Sequence, residues 1–394
     1  MLRAVGLVTE YNPFHNGHRY HAQQARKVSG AEVVVAVMSG HFLQRGEPAL
    51  VDKWTRAQMA LRCGVDVVIE LPFPFACNSA PHFADGAIQI LDLFHPHIHS
   101  VCFGSESGDL EQLKPLAKAM AGYDSADAEH HARSGKTFPQ ARAAALADQG
   151  FDAALLDQPN NILSLAYLRA IAQRNSALEA LTIKRIGVGY HDLQPVNNIA
   201  SATALRQRLY AGEAVQPFLP AAAHELLAQA VEQEMVVDQQ RWFSMLQQSC
   251  LDQRRAPIDG YQMEPGLEQR IFQAALAAND YEQLVDEVKA RHLTRTRVQR
   301  LLSYQLFALR SQEMANALAW PIPYLHLLGA TQKGERFLSQ CRKELSLPLV
   351  TNQSRIQSLL NRHYGRDGEA RLHAQWMVDL EDQVTRFYTL LLPG

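Results

Sequence analysis

The chain is predicted to be an α/β protein, with a parallel sheet covered by helices over residues 1–215 and an all-helical domain over 216–394. Three observations predict this. Short apolar, β-branched runs alternate with helical stretches in the first half. The polar motifs fall at the ends of those runs, where an open parallel sheet binds ligands. After Pro217 and Pro220 the pattern changes to amphipathic helical segments that continue almost to the C-terminus. Taken in order, Ala4–Val8 predicts a first strand, broken by Pro13 before a helix over His18–Lys27. Val33–Met38 predicts the second strand and Lys53–Arg62 a helix. Val65–Leu71, Phe83–Leu93 and Ser100–Phe103 predict strand, helix and strand. Ile162–Asn175 then predicts a helix and Ile183–Val188 a last strand.

Composition narrows the function classes. The 394 residues are 47% hydrophobic and 20% charged, with net charge −2, so any nucleic-acid surface must be local. No apolar run approaches membrane-spanning length, and Met1-Leu2-Arg3 leads directly into a strand, which leaves no room for a signal peptide. Cys63, Cys77, Cys102, Cys250 and Cys341 are odd in number and lack metal-site spacing. They fit reduced structural residues of a cytoplasmic protein.

The first polar motif spans Thr9 to His21 and places His15-Asn16-Gly17-His18 between a strand and a helix. Free backbone N–H groups and the positive end of the helix dipole make such a start an anion site. Gly17 leaves room for a nucleotide, and His15 and His18 can donate to phosphate oxygens. The competing reading is two histidines capping an ordinary βα turn. Ile199 to Arg206 supplies a second helix start, with Ser201 or Thr203 as cap and Arg206 about one turn in, able to reach phosphate. Together the two segments resemble the nucleotidyltransferase superfamily, whose members attack the α-phosphate of ATP or CTP and release pyrophosphate.

Four further segments carry polar groups that a simple fold does not demand. Met38–Pro48 is a glycine-rich, charged loop. In Phe103-Gly104-Ser105-Glu106, Gly104 can admit a base or ribose edge. In Pro159-Asn160-Asn161, Asn160 is either a helix N-cap or an amide that contacts adenine. Lys184-Arg185 sits in an apolar strand, where a cation on the buried side requires an anionic partner.

These segments, with Gly6 to His18, Gln44-Arg45-Gly46-Glu47-Pro48-Ala49, Tyr190-His191-Asp192 and Ser201-Ala202-Thr203, resemble the bacterial tRNA(Met) cytidine acetate ligase family. The resemblance covers most of the chain. It implies a Rossmann-like nucleotidyltransferase domain whose ATP site is lined by Val8, Thr9, Glu10, Tyr11, Asn12, Pro13, Phe14, His15, Asn16, Gly17, His18, Arg19, Tyr20 and His21. Gly104, Asn160 and Arg185 complete that site, with Ser201, Thr203 and Arg206 closing it, while Asn160 and Asn161 remain alternatives for one contact.

In the second domain, residues 288–312 hold no acidic side chain but six basic ones, Lys289, Arg291, Arg295, Arg297, Arg300 and Arg310. Thr294 or Thr296 can cap a helix there. Arg297, Arg300 and Tyr304 share one side of it at i, i+3 and i+7, so with Arg295 they predict phosphate contact plus base stacking. The competing reading is a solvated helix face.

By resemblance, the reaction has two steps. Acetate attacks the α-phosphorus of ATP, giving acetyl-adenylate and pyrophosphate. N4 of the wobble cytidine of elongator tRNA(Met) then takes the acetyl group and AMP leaves. His15, His18 and Arg206 would stabilise the phosphates with Mg²⁺, whose ligands must come mostly from phosphate and water because no carboxylate cluster cages it. No protein partner and no general base are identifiable. Three rival readings are an acetyl-CoA-dependent acetyltransferase, weakly suggested by Lys184 to Gly189, an adenylyltransferase with a small acceptor, and a non-catalytic nucleotide-sensing RNA-binding protein.

Overall fold

The computed structural model describes residues 1–126, 138–185, 198–252, 259–290 and 292–393. Its centre is a seven-stranded sheet in the order β5-β4-β1-β2-β3-β6-β7. Strands β1 (Ala4–Thr9), β2 (Val33–Ser39), β3 (Val67–Leu71), β4 (Ile98–Ser105) and β5 (Glu179–Lys184) are parallel neighbours. β2 shows why these runs lack polar alternation. Val33, Val35 and Val37 enter one core while Val34, Ala36 and Met38 enter another, so both faces need apolar side chains.

Helices α1 (Asn16–Ser29) and α2 (Lys53–Arg62) cover one face. α3 (Phe73–Ala76), α4 (Ala80–Asp92), α5 (Leu110–Ala126), α6 (Phe138–Asp148) and α7 (Pro159–Gln173) follow, with α4, α5 and α7 packed on the other. α1 stops at Gly30, whose φ of 65° is a left-handed cap that costs glycine little. Then come α8 (Ala202–Tyr210), α9 (Ala221–Glu232), α10 (Gln239–Leu251), α11 (Leu267–Ala277), α12 (Tyr281–Val288), α13 (Arg295–Leu306) and α14 (Ser311–Ala319). Helices α10 to α13 enclose a separate core around Trp242, Phe243, Ile271, Leu284 and Leu301, into which Phe42 and Phe73 also project.

Two expectations need correction. Residues 216–394 are not all helical: β6 (Leu325–Ala330) pairs antiparallel with β3 and parallel with β7 (Leu349–Val350), so the sheet is mixed. Helices α15 (Gln332–Cys341), α16 (Ile356–Tyr364) and α17 (Glu369–Leu390) complete this region. A short apolar run such as Leu325–Leu328 has no periodicity that separates a strand from a buried helix. The join is a buried charge cluster, in which Glu70 of β3 accepts from Lys53 Nζ at 2.7 Å and meets His326 of β6. Burial alone would raise the Glu70 pKa, but Lys53 and His326 hold it well below the carboxylate range.

The last parallel strand is Glu179–Lys184 rather than Ile183–Val188, because β4 extends to Ser105 and pairs with it residue for residue. Lys184 and Arg185 therefore end an edge strand and are exposed, not buried inside an apolar one. Residues 186–188 and Tyr190, His191 and Asp192 lie outside the described residues.

Candidate functional site

The site forms where β1, β2 and β4 end and α1 begins. Arg56 of α2, fully buried, gathers the strand exits by donating to the carbonyls of Glu10 (2.6 Å), Ser39 and Val51 (both 3.1 Å) and Gly40. Asn12 adds a link by accepting from the Leu50 N–H at 2.7 Å. Tyr11 between them takes a φ of 51°, an uncommon left-handed conformation for a residue with a side chain.

At the start of α1 the histidine pair caps the helix. His15 is the N-cap, and its Nδ1 accepts from the Gly17 N–H at 3.0 Å. His18 Nδ1 accepts from the His15 N–H at 3.2 Å, completing a capping box. A neutral ring that accepts at Nδ1 carries its proton on Nε2, so capping turns each histidine into an Nε2–H donor. The rings stack at 3.7 Å between centroids. Burial, and then the Arg185 charge, depress the His15 pKa to about 3. Burial and the His15 ring push His18 well below its ordinary value as well. Both histidines are therefore neutral donors at physiological pH rather than cations.

These groups face a cavity of about 440 Å³. Val8, Thr9, Glu10, Tyr11, Asn12, His15, Gly17, His18, Tyr20 and His21 line it, together with Gly104, Asn160, Arg185, Ser201, Thr203 and Arg206. His21 is also neutral, lowered to about 4 by burial first and then by Arg185. Four residues of the continuous stretch do not line the cavity. Pro13 is buried, and Phe14 is core, 4.8 Å from Tyr11. Arg19 is exposed on the outer face of α1. Asn16 ties α1 to the chain on both sides of α8 by donating to the carbonyls of Asn198 (3.0 Å) before it and Pro217 (3.2 Å) after it.

At the far wall the N-cap of α7 is Gln158, not Asn160. Glu106 satisfies the helix start instead, accepting from the N–H groups of Asn160 (3.2 Å) and Asn161 (2.8 Å). The two asparagines divide. Asn161 is buried, and its Oδ1 accepts from the Glu106 and Ser107 N–H groups at 3.0 and 3.3 Å, shaping the loop. Asn160 faces the cavity, donating to Glu106 at 2.6 Å and accepting from Arg185 at 3.2 Å. On the near wall Ser201, not Thr203, caps α8, and Arg206 donates to the Asn12 carbonyl at 3.0 Å. Phe83, Tyr167 and Thr296 also line the cavity and were not singled out as ligand contacts from sequence. Helical spacing carries a signal for one of them, since Tyr167 lies two turns after Asn160 on the same face of α7.

The basic stretch on α13 is arranged differently from the expectation. Arg295 pairs with Glu282 at 2.6 Å and Arg297 with Glu264. Arg300 and Tyr304 are buried, so they present no face to a base and correct the idea of an exposed stripe. Arg300 donates to the Gln44 carbonyl at 3.3 Å, Ser303 to the Gly46 carbonyl at 2.5 Å, and Tyr304 to the Cys77 carbonyl at 2.8 Å. Arg291 lies outside the described residues. A second cavity, about 890 Å³, adjoins the first, and Arg45, Glu47, Thr203, Arg206 and Thr296 line both. Among the described residues, no three His, Cys, Asp or Glu side chains are grouped to hold a metal ion, and no helix is long and apolar enough to cross a membrane.

Comparison with known proteins agrees with this geometry. Residues 2–393 match the family profile described as HIGH Nucleotidyl Transferase. A Syntrophotalea carbinolica protein named tRNA(Met) cytidine acetate ligase is 50% identical, covering 100% of this chain and 95% of its own. One of the same name from Anoxybacillus flavithermus is 39% identical over 90% of each. Crystal structures of Thermotoga maritima TmcAL superpose with TM-scores of 0.91 for the apo form and 0.89 for the form bound with alpha-thio ATP, both at 32% identity and covering all of this chain and 96% and 95% of theirs.

Proposed function

Since the chain belongs to the HIGH nucleotidyl transferase family, we propose that it is an ATP-dependent ligase that acetylates N4 of the wobble cytidine of elongator tRNA(Met), with acetyl-adenylate as the intermediate. The observation that carries the proposal is the pair of neutral Nε2–H donors at the start of α1, facing a cavity in a chain that is alike over its full length to tRNA(Met) cytidine acetate ligases.

In the first step the triphosphate lies across the start of α1. His15 and His18 donate to oxygens on which charge develops, and a neutral donor in a dry cleft does so without the cost of burying a second charge. Arg206 adds a cation from α8, while Asn160 and Gly104 stand where a base or ribose would lie. Mg²⁺, if it accompanies the nucleotide, would be held by phosphate oxygens and water, since among the described residues no group of three His, Cys, Asp or Glu side chains stands ready to hold it. Positioning and charge neutralisation then do most of the catalytic work. The acetyl group leaves this step as a mixed anhydride, reactive enough for a weak nucleophile such as the cytosine amine.

For the RNA, the partners are the half-buried Arg295 and Arg297, whose present carboxylate contacts a phosphate would replace. Residues 1–215 supply the nucleotide site and 216–394 most of the RNA contact. ATP and tRNA as substrates agree with a cytoplasmic enzyme.

The test is transfer of labelled acetate to elongator tRNA(Met), with and without ATP, and with acetyl-CoA as the rival donor. Label on the wobble cytidine that requires both ATP and acetate is the expected result. Transfer from acetyl-CoA alone would overturn it.

A further inference from the structure

The proposed reaction still lacks a place for the acceptor base and a group to take its proton. We propose that the second cavity receives the unpaired cytosine of the RNA and that Glu47 is the general base of acyl transfer. This rests on the ligase reading above. The acyl carbon is made in the first cavity, so the amine must approach through a wall that the two cavities share. Of the carboxylates lining them, Glu10 faces only the first and Asp280 and Glu282 only the second, whereas Glu47 lines both. Glu10 accepts from the Gln44 N–H at 2.7 Å, and Asp280 caps α12.

Glu47 is held in place. Its Oε1 accepts from Gln299 Nε2 at 2.6 Å, and its carbonyl accepts from the Leu43 N–H at 3.0 Å. Gly46 beside it is pressed on the α13 backbone, where an added Cβ would stand 2.4 Å from the Arg300 nitrogen. The buried polar face of α13 is thus the bed of the loop that carries the base, and a fixed carboxylate is what proton transfer at one atom requires. Around it the second cavity offers the rings of Tyr210 and Tyr281, with Gln207 and Gln240 amides among them. That combination suits stacking and edge contacts to a single unpaired base.

The step balances. The N4 lone pair forms a C–N bond to the acetyl carbon, and the carbonyl π pair moves to oxygen. When the carbonyl reforms, the C–O bond to phosphate breaks and AMP departs with that pair. Glu47 takes one N4 proton and later passes it to water, leaving an amide with one N–H. Nitrogen becomes strongly acidic as it attacks, so a weak base in contact with it is sufficient.

Glu47→Gln keeps the size and an acceptor for Gln299. Acetate-dependent ATP–pyrophosphate exchange and single-turnover acetyl transfer to tRNA(Met) are measured on one preparation. The ratio of transfer to exchange is expected to fall by about 10²–10⁴-fold. An unchanged ratio overturns the general base. Tyr210→Ala, on the exposed rim, is expected to raise the tRNA concentration for half-maximal transfer about tenfold, with Tyr210→Phe restoring it. No rise removes the base from this cavity. Wild-type protein that exchanges pyrophosphate but never acetylates tRNA sinks the ligase reading instead, a separate failure.

Discussion

The first turn of α1 and the inner face of α13 both present polar side chains at helical spacing, and the fold uses them in opposite ways. His15 and His18 line a cavity, each with one ring nitrogen engaged by backbone. Arg300, Ser303 and Tyr304 look at another piece of the same chain, and their polar atoms meet the carbonyls of Gln44, Gly46 and Cys77. Spacing determines which side chains share a face, but what lies opposite determines whether that face binds or builds.

The comparison can be broken most directly at His18. His18→Ala removes one phosphate donor, and acetate-dependent pyrophosphate exchange should fall by about 10²–10³-fold. A loss below tenfold would return the pair to the role of cap alone. On the other side, Gly46→Ala puts a Cβ into the α13 backbone at a φ of 93°. Strain and clash together should cost about 2–4 kcal/mol, read from a urea midpoint.

The histidines also predict a pH effect with a definite sign. His15 titrates at about 3 in the folded protein, lowered by burial, against about 6.5 when unfolded. The unfolded chain binds the proton first, so this contribution to stability is complete above about pH 6.5 and fades as pH falls towards about 3, by about 1.4 kcal/mol per unit for this residue. Denaturation midpoints at pH 7, 6 and 5 should show the slope. A flat profile would place a charged ring in the site.

Smaller effects sharpen the α13 half. Tyr304→Phe leaves the buried Cys77 carbonyl unpaired and should cost about 1 kcal/mol, with tRNA affinity unchanged at fixed salt. Reduced affinity at unchanged stability would instead assign the hydroxyl to an RNA contact. Arg297→Ala should change stability by under about 0.5 kcal/mol, since its ion pair is near the surface. It should also lower the salt dependence of tRNA binding by about one ion.

Much of the site was legible because a strand, a turn and a helix start are neighbours in sequence. His15, Gly17, His18, Ser201 and Arg206 were found from local chemistry, and each lines the cavity. Asn160 and Asn161 were not separable, because adjacent helical residues point about 100° apart and only Glu106, more than fifty residues away, shows which one faces in. Tyr304 was misjudged for the same reason, since its partner is Cys77. β6 was missed because its partners, β3 and its Glu70, lie far earlier in the chain.

The sequence by itself determined most of the parallel strands and the strand–turn–helix that carries His15 and His18, because caps, periodicity and apolar runs act over a short stretch of chain. Only the tertiary structure decided that the C-terminal region returns a strand to the sheet, that α13 anchors a loop rather than facing solvent, and that Glu47 stands between two cavities. Those outcomes depend on which distant surfaces exclude water from each other, and no local pattern records them.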